Sequence, residues 1–160
     1  MKRKRFTEMP CPIARTLDIV GEWWTLIIVR DALVGARRFD EFRASGIADN
    51  ILSARLDFLV SEGILERRRY QERPPRHEYL LTDKGRDLLP VVVALGAWGL
   101  KWTDTTAKAP TLLHTRCGSQ LGFDFRCPTC GEAVAPRDVE VRRPGAPVTD
   151  KELTAVVAAE

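Results

Sequence analysis

Between residues 12 and 33 the apolar positions recur at helical spacing and predict two helices. Ile13, Leu17 and Val20 stand at i, i+4 and i+7, which gives the first helix one apolar face. Gly21 breaks the pattern. The stretch EWWTLIIVRDAL is apolar nearly all round, as expected of a helix buried on most sides. VGARR reads as a turn, and RFDEFRAS as a short helix with Phe39 and Phe42 on one side. After a second turn, SGI, Asp49 is the expected N-cap of a helix NILSARLDFLVSEG. Leu52, Leu56 and Leu59 form its apolar stripe, while Asn50, Ser53, Arg55 and Asp57 lie away from it. Gly63 ends it.

The period then changes. GILERRRYQERPPRHEYLLT has two apolar, strand-like ends and a basic tip stiffened by Pro74 and Pro75, which predicts a β-hairpin. TDKG caps a last long helix from residue 83 to about 103, in which Pro90 is expected to kink or restart the spiral. Two short helices joined by a small turn, the second carrying Asn, Ser and Arg outside its apolar stripe, make a helix-turn-helix. A hairpin behind the second helix gives the winged variety. A helix fits the DNA major groove, where Arg and Asn pair with base edges. A stiff basic tip follows the neighbouring backbone or minor groove at little ordering cost. The competing reading is a protein-interaction adaptor built on the same scaffold without DNA binding, since fold does not dictate function.

Charge distribution sharpens this picture. The net charge of +3 is mild, but residues 1–86 hold 17 Lys and Arg against 13 Asp and Glu, and residues 87–160 hold 8 against 9. The basic excess thus lies in the half that contains the hairpin, and salt-bridged surfaces produce such an excess as readily as a polyanion partner does. With 44% hydrophobic and 29% charged residues, the chain has the composition of a folded globular protein. MKRKRFTEMPCP lacks the apolar run of a signal peptide, and WWTLIIV and LLPVVVALGAWGL are too short or too interrupted to cross a bilayer. A cytoplasmic protein is expected, with no membrane partner. In that reducing compartment, four cysteines suggest metal ligands or redox-active thiols before structural disulfides.

From Cys11 to Trp98 the order of motifs resembles the HxlR-type (MarR-like) winged helix-turn-helix transcriptional regulators. The resemblance rests on Cys11-Pro12, Gly21 with Trp23, RFDEF, LSARLDFLVSEGIL, PPRHEYLLTDKG and the closing Trp98. It implies a homodimeric regulator, expected to act as a repressor, on a palindromic operator of double-stranded DNA. It also implies that Asn50, Ile51, Ser53 and Arg55 face the groove, while Arg37, Arg38, Arg73 and Arg76 meet phosphates. Each of these arginines has an alternative as a solvated surface charge. Arg67, Arg68 and Arg69 alternate along a strand, so all three cannot face DNA. One departure is Ala48, where the family commonly has a Ser or Thr cap; Asp49 is the expected substitute.

Val91, Leu95, Trp98 and Trp102 fall at i, i+4, i+7 and i+11, and Leu88 and Val92 widen the stripe. This is a coiled-coil-like seam expected at a dimer interface, against the alternative of packing on Trp23, Trp24 or Ile13 of the same subunit. A paired seam lined with Trp also has the chemistry to admit a small aromatic effector. Pro12 suits the first helical position, which makes Cys11 the N-cap near the positive end of the helix dipole. Lys2 to Arg5 add positive charge nearby, and some relatives in the family sense oxidants or electrophiles through a cysteine there. The alternative for Cys11 is a small buried hydrophobe.

Beyond a domain spanning 1–103 and a linker over 104–112, residues 113–144 suggest a zinc-ribbon-like module, and 145–160 a tail. CPTCG places two thiols two residues apart on a tight turn, and HTRCG repeats the shape with His114 first. His114, Cys117, Cys127 and Cys130 are candidate ligands of a closed, structural Zn site, against a metal-free ribbon or a Cys127–Cys130 disulfide. Nothing in the sequence supports an enzyme. Neither His77 nor His114 is placed to partner Cys11, and no phosphate-cradling loop or paired carboxylates occur. The fold class expected is mainly α (α+β): a winged helix-turn-helix with a long dimerisation helix and a small zinc-ribbon-like β module.

Overall fold

The structure, a computed structural model, describes residues 6, 8–106, 111–122 and 125–140. The Lys2–Arg5 segment, residues 107–110 of the linker, residues 141–144 and the 145–160 tail lie outside the described residues. The chain divides into two units, Met1–Pro110 and Thr111–Glu160.

The first unit runs α1 (Pro12–Val20), α2 (Trp23–Leu33), α3 (Phe39–Arg43), α4 (Asp49–Ser61), β1 (Leu65–Gln71), β2 (Arg76–Leu81), α5 (Asp83–Arg86) and α6 (Leu89–Trp102). It is a mainly helical winged helix-turn-helix with a two-stranded antiparallel wing. Its core is where the apolar stripes meet. Val29, Phe42, Leu52, Leu56 and Leu59 are fully buried, joined by Val20, Ile28, Ile47, Ile64 and Leu65. Each such side chain contributes about 1.5–3 kcal/mol on burial, so the helix-turn-helix is held mainly by this cluster. Phe42 also meets Tyr79 of the wing edge-on, at 6.4 Å and 79°.

Four local details differ from the sequence reading. Ala48, not Asp49, is the N-cap of α4; Asp49 is the first helical residue. The extended backbone of Ala48 starts the helix without a side-chain cap, and Asp49 supplies negative charge to its first turn, 3.6 Å from Arg43. Trp23 is 86% exposed, so α2 is buried on fewer sides than its composition suggests. Gly35, at φ 109°, makes the VGARR turn, and beyond it Arg38 bridges Glu78 while Tyr79 N–H donates to the Arg37 carbonyl. That segment is therefore an extra edge on the wing. Finally, the expected long helix is two: Arg86 ends α5, and Pro90 lies in the first turn of α6, where its missing N–H costs nothing.

The end of α4 is a Schellman motif. Gly63 adopts φ 68°, its N–H donates to Val60 O, and Ile64 N–H donates to Leu59 O. The chain then enters β1 directly, which fixes the wing to α4. In the second unit, the described residues contain two turns flanked by isolated bridges and one 3₁₀ turn at Pro136–Asp138. Among the described residues, no helix is long and apolar enough to cross a membrane.

Candidate nucleic-acid interface

Two polar networks hold α4 in place. Asp31, buried at the end of α2, accepts from Arg30 (2.7 Å) and from the Ser45 hydroxyl. Ser45 belongs to the α3–α4 turn, where Gly46 takes φ 85° and Ile47 is buried. At the other end, the Glu22 carboxylate caps α2 through Trp24 N–H (3.1 Å) and lies 3.8 Å from Arg55 Nε.

With Leu52, Leu56 and Leu59 turned inward, α4 exposes Asn50, Ile51, Ser53, Ala54 and Asp57. Arg55 sits at the border, half-buried, between Glu22 and the ring of Phe58 (5.7 Å). Asp57 is held by Arg67 of the wing at 3.0 Å. Ala54 lies on the outward face, and the sequence reading passed over it because it carries no polar group. Its signal was its spacing, four residues after Asn50 and opposite the leucine stripe.

The wing sorts its arginines into two sets. Arg67 pairs with Asp57, Arg68 with Glu78 (2.7 Å) and Arg69 with Glu72 (3.2 Å), so all three are engaged within the protein. Arg37, Arg73 and Arg76 form no ion pair among the described residues. Arg38 stacks over Tyr70 at 4.9 Å. Arg38, Tyr70, Pro75, Arg76 and His77 line a cleft of about 570 Å³ between α3 and the wing. Glu41 in this region accepts from the backbone N–H groups of Arg37 (2.7 Å) and Arg38 (2.9 Å). Those two hydrogen bonds hold its carboxyl below the ordinary carboxylate range, with the Arg38 and Arg37 charges adding to the effect.

The HxlR-like helix-turn-helix family matches residues 19–107. The chain belongs to it. A relative from Mycobacterium tuberculosis, described as the uncharacterized HTH-type transcriptional regulator Rv3095, is 41% identical over 129 residues, 79% of this chain and 82% of its own. Among solved structures, the candidate transcription factor PA1607 superimposes with a TM-score of 0.72 at 37% identity, over 88% of this chain and 99% of its own. The redox regulator HypR in its oxidized form gives a TM-score of 0.55 at 37% identity, over 59% of this chain and all of its own. This HxlR-like protein is therefore a DNA-binding helix-turn-helix transcriptional regulator and not an enzyme.

In this HxlR-like regulator, Cys11 is the N-cap of α1, half-buried, with Pro12 opening the helix. Along α6, Leu88 just before it and Val92 within it pack on the subunit's own core. Val91, Leu95, Trp98 and Trp102 point outward, with Trp98 and Trp102 more than 60% exposed. On α1, Val20 is buried while Ile13 and Leu17 stay exposed. In the second unit, Cys117 and Cys130 are exposed and Cys127 is partly covered. Hydrogen bonds from the Ser119 side chain and backbone lower the Cys117 thiol from its ordinary value. Backbone N–H groups of Cys130 and Thr129 do the same for Cys127.

Proposed function

We propose that this regulator is a homodimeric repressor that reads a palindromic operator with α4 and grips the flanking backbone with its wing. One observation carries the reading. The unpaired arginines Arg37, Arg73 and Arg76 belong to the elements that flank the bare Asn50, Ser53 and Ala54 face, while the neighbouring arginines are neutralised by carboxylates. Unpaired guanidinium groups release counterions on meeting phosphate; paired ones have already spent their charge. Asn50 is suited to adenine and Ala54 to a thymine methyl group. Arg55 joins the base readers by leaving Glu22, since a 3.8 Å ion pair is near the limit of contact.

The exposed stripe Val91, Leu95, Trp98 and Trp102, with Ile13 and Leu17, takes a second copy, as two-fold symmetry on a palindrome requires. Two Trp rings in that seam suit an aromatic effector. Cys11, at a helix start and partly accessible, suits a response to oxidants or electrophiles, and the likeness to a redox regulator supports that reading. Residues 113–144 add a small zinc-ribbon-like β module to the regulator.

The test is fluorescence anisotropy with DNA from upstream of the protein's own gene and its neighbour's, at several salt concentrations. Asn50→Ala and Arg55→Ala are expected to cost about 1–3 kcal/mol on the operator and little on random DNA. Arg76→Ala should weaken both alike and reduce the salt slope by about one. Equal behaviour of the two classes of variant would reject these roles. Absence of salt-dependent binding to any DNA would favour the adaptor reading.

A further inference from the structure

Two turns of the second unit repeat one backbone pattern thirteen positions apart, at His114 and at Cys127. In the first, His114 N–H donates to Ser119 O (2.9 Å), Gly118 N–H to His114 O (2.7 Å) and Leu121 N–H to Leu112 O (2.8 Å). In the second, Cys127 N–H donates to Glu132 O (3.0 Å), Gly131 N–H to Cys127 O (2.9 Å) and Val134 N–H to Phe125 O (2.7 Å). The flanking bridges, Leu113 with Gln120 and Arg126 with Ala133, keep the same register. Gly118 and Gly131 take nearly the same left-handed conformation, φ 70° and 72°. Most side chains differ between the two turns. What both keep is a nitrogen or sulfur donor at the first position, Cys at the fourth and Gly at the fifth.

We propose that His114, Cys117, Cys127 and Cys130 are the four ligands of one structural zinc ion, each turn supplying two. His114 Nδ1 and Cys117 Sγ stand 3.2 Å apart, close to the separation of about 3.5 Å that bond lengths near 2.0 and 2.3 Å set between two corners of a tetrahedron. The two atoms are within hydrogen-bonding distance of each other, a contact that zinc binding would replace.

Packing gives the ion a role. Among the described residues of this unit, none is buried; every buried apolar side chain belongs to the first unit. The described part of this β module has no core of its own, so a staple would stabilise it, and its three cysteines, Cys117, Cys127 and Cys130, form no disulfide. The four side chains stand as two pairs: no group of three or more His, Cys, Asp or Glu among the described residues is close enough to hold a metal. The ion is what joins the pairs, so that metal binding and closure of the module are one event. All four corners being protein ligands, the site is closed and does no chemistry.

Metal analysis of the full chain, purified without chelator, is expected to find about one zinc per chain. Replacement by cobalt should give the visible bands of tetrahedral coordination and a thiolate charge-transfer band. Cys117→Ser and Cys130→Ser should each weaken metal binding tenfold or more, roughly, and His114→Cys should retain it. Three results would overturn the proposal: less than about a tenth of a zinc per chain, an octahedral cobalt spectrum, or a Cys127–Cys130 disulfide by mass spectrometry. The cobalt spectrum of the unaltered chain decides the matter even where a variant fails to fold. Operator binding measured on the same preparations separates this inference from the DNA-binding reading, since either can fail alone.

Discussion

Glu41 shows how one side chain sets up a surface. Its carboxylate takes the N–H groups of Arg37 and Arg38 and orders the entry to α3, beside which Arg38 stacks on Tyr70 of the wing. Because these bonds favour the charged form, the folded-state pKa lies below the ordinary 4.5. The stabilisation is therefore fully present above that value and disappears as pH falls through the lowered one. Thermal melts of Glu41→Gln should show a small loss of stability at neutral pH that vanishes on acidification. A difference that persists undiminished in acid would mean that the carboxylate charge is not its source. The residue scale also adds a partner for Arg55. Helical spacing alone places it off the leucine stripe, but Glu22, 33 positions earlier in the chain, draws it to the edge.

At the level of elements, the junction between wing and α5 is closely packed. The Thr82 hydroxyl donates to Gly63 O (2.6 Å) and accepts from Gly85 N–H, so one residue ties the end of α4 to the start of α5. A Cβ on Gly85 would overlap the carbonyl oxygen of Ile64 and crowd Leu81. Neither neighbour gives cheaply, because one is backbone and the other lies where the wing meets the core. Gly85→Ala is thus expected to destabilise the protein by about 1–3 kcal/mol, read as a lower chemical-denaturation midpoint. An unchanged midpoint would show that the junction is looser than its geometry. The wing itself illustrates economy of charge: three consecutive arginines of β1 are neutralised internally, whereas Arg73 at the tip and Arg76 on β2 form no ion pair among the described residues.

For the molecule as a whole, α6 is the unfinished element. No residue of this 14-residue helix is buried, although its mean composition is strongly apolar. Leu95, Trp98 and Trp102 form an exposed apolar stripe of the kind that marks an interaction surface. Leu95→Glu combined with Trp98→Glu should convert a dimer to a monomer in analytical ultracentrifugation. Operator affinity should drop by about tenfold or more, with helical content unchanged. A double variant that stays dimeric would move the interface elsewhere.

The helices, their apolar stripes, the Gly63 stop, the hairpin and the restart at Pro90 were legible in the sequence, because each rests on local periodicity or on the backbone limits of Gly and Pro. The paired Cys turns were legible too, as a motif whose spacing carries its own geometry. The helix start at Ala48 was not, because a cap can be set by backbone alone. Nor was the sorting of arginines into paired and unpaired sets, or the inward turn of Leu88 and Val92. Those depend on which carboxylates and core residues the fold brings alongside from distant positions. Charge type is a property of the chain, whereas charge that remains unspent is decided only when the elements meet.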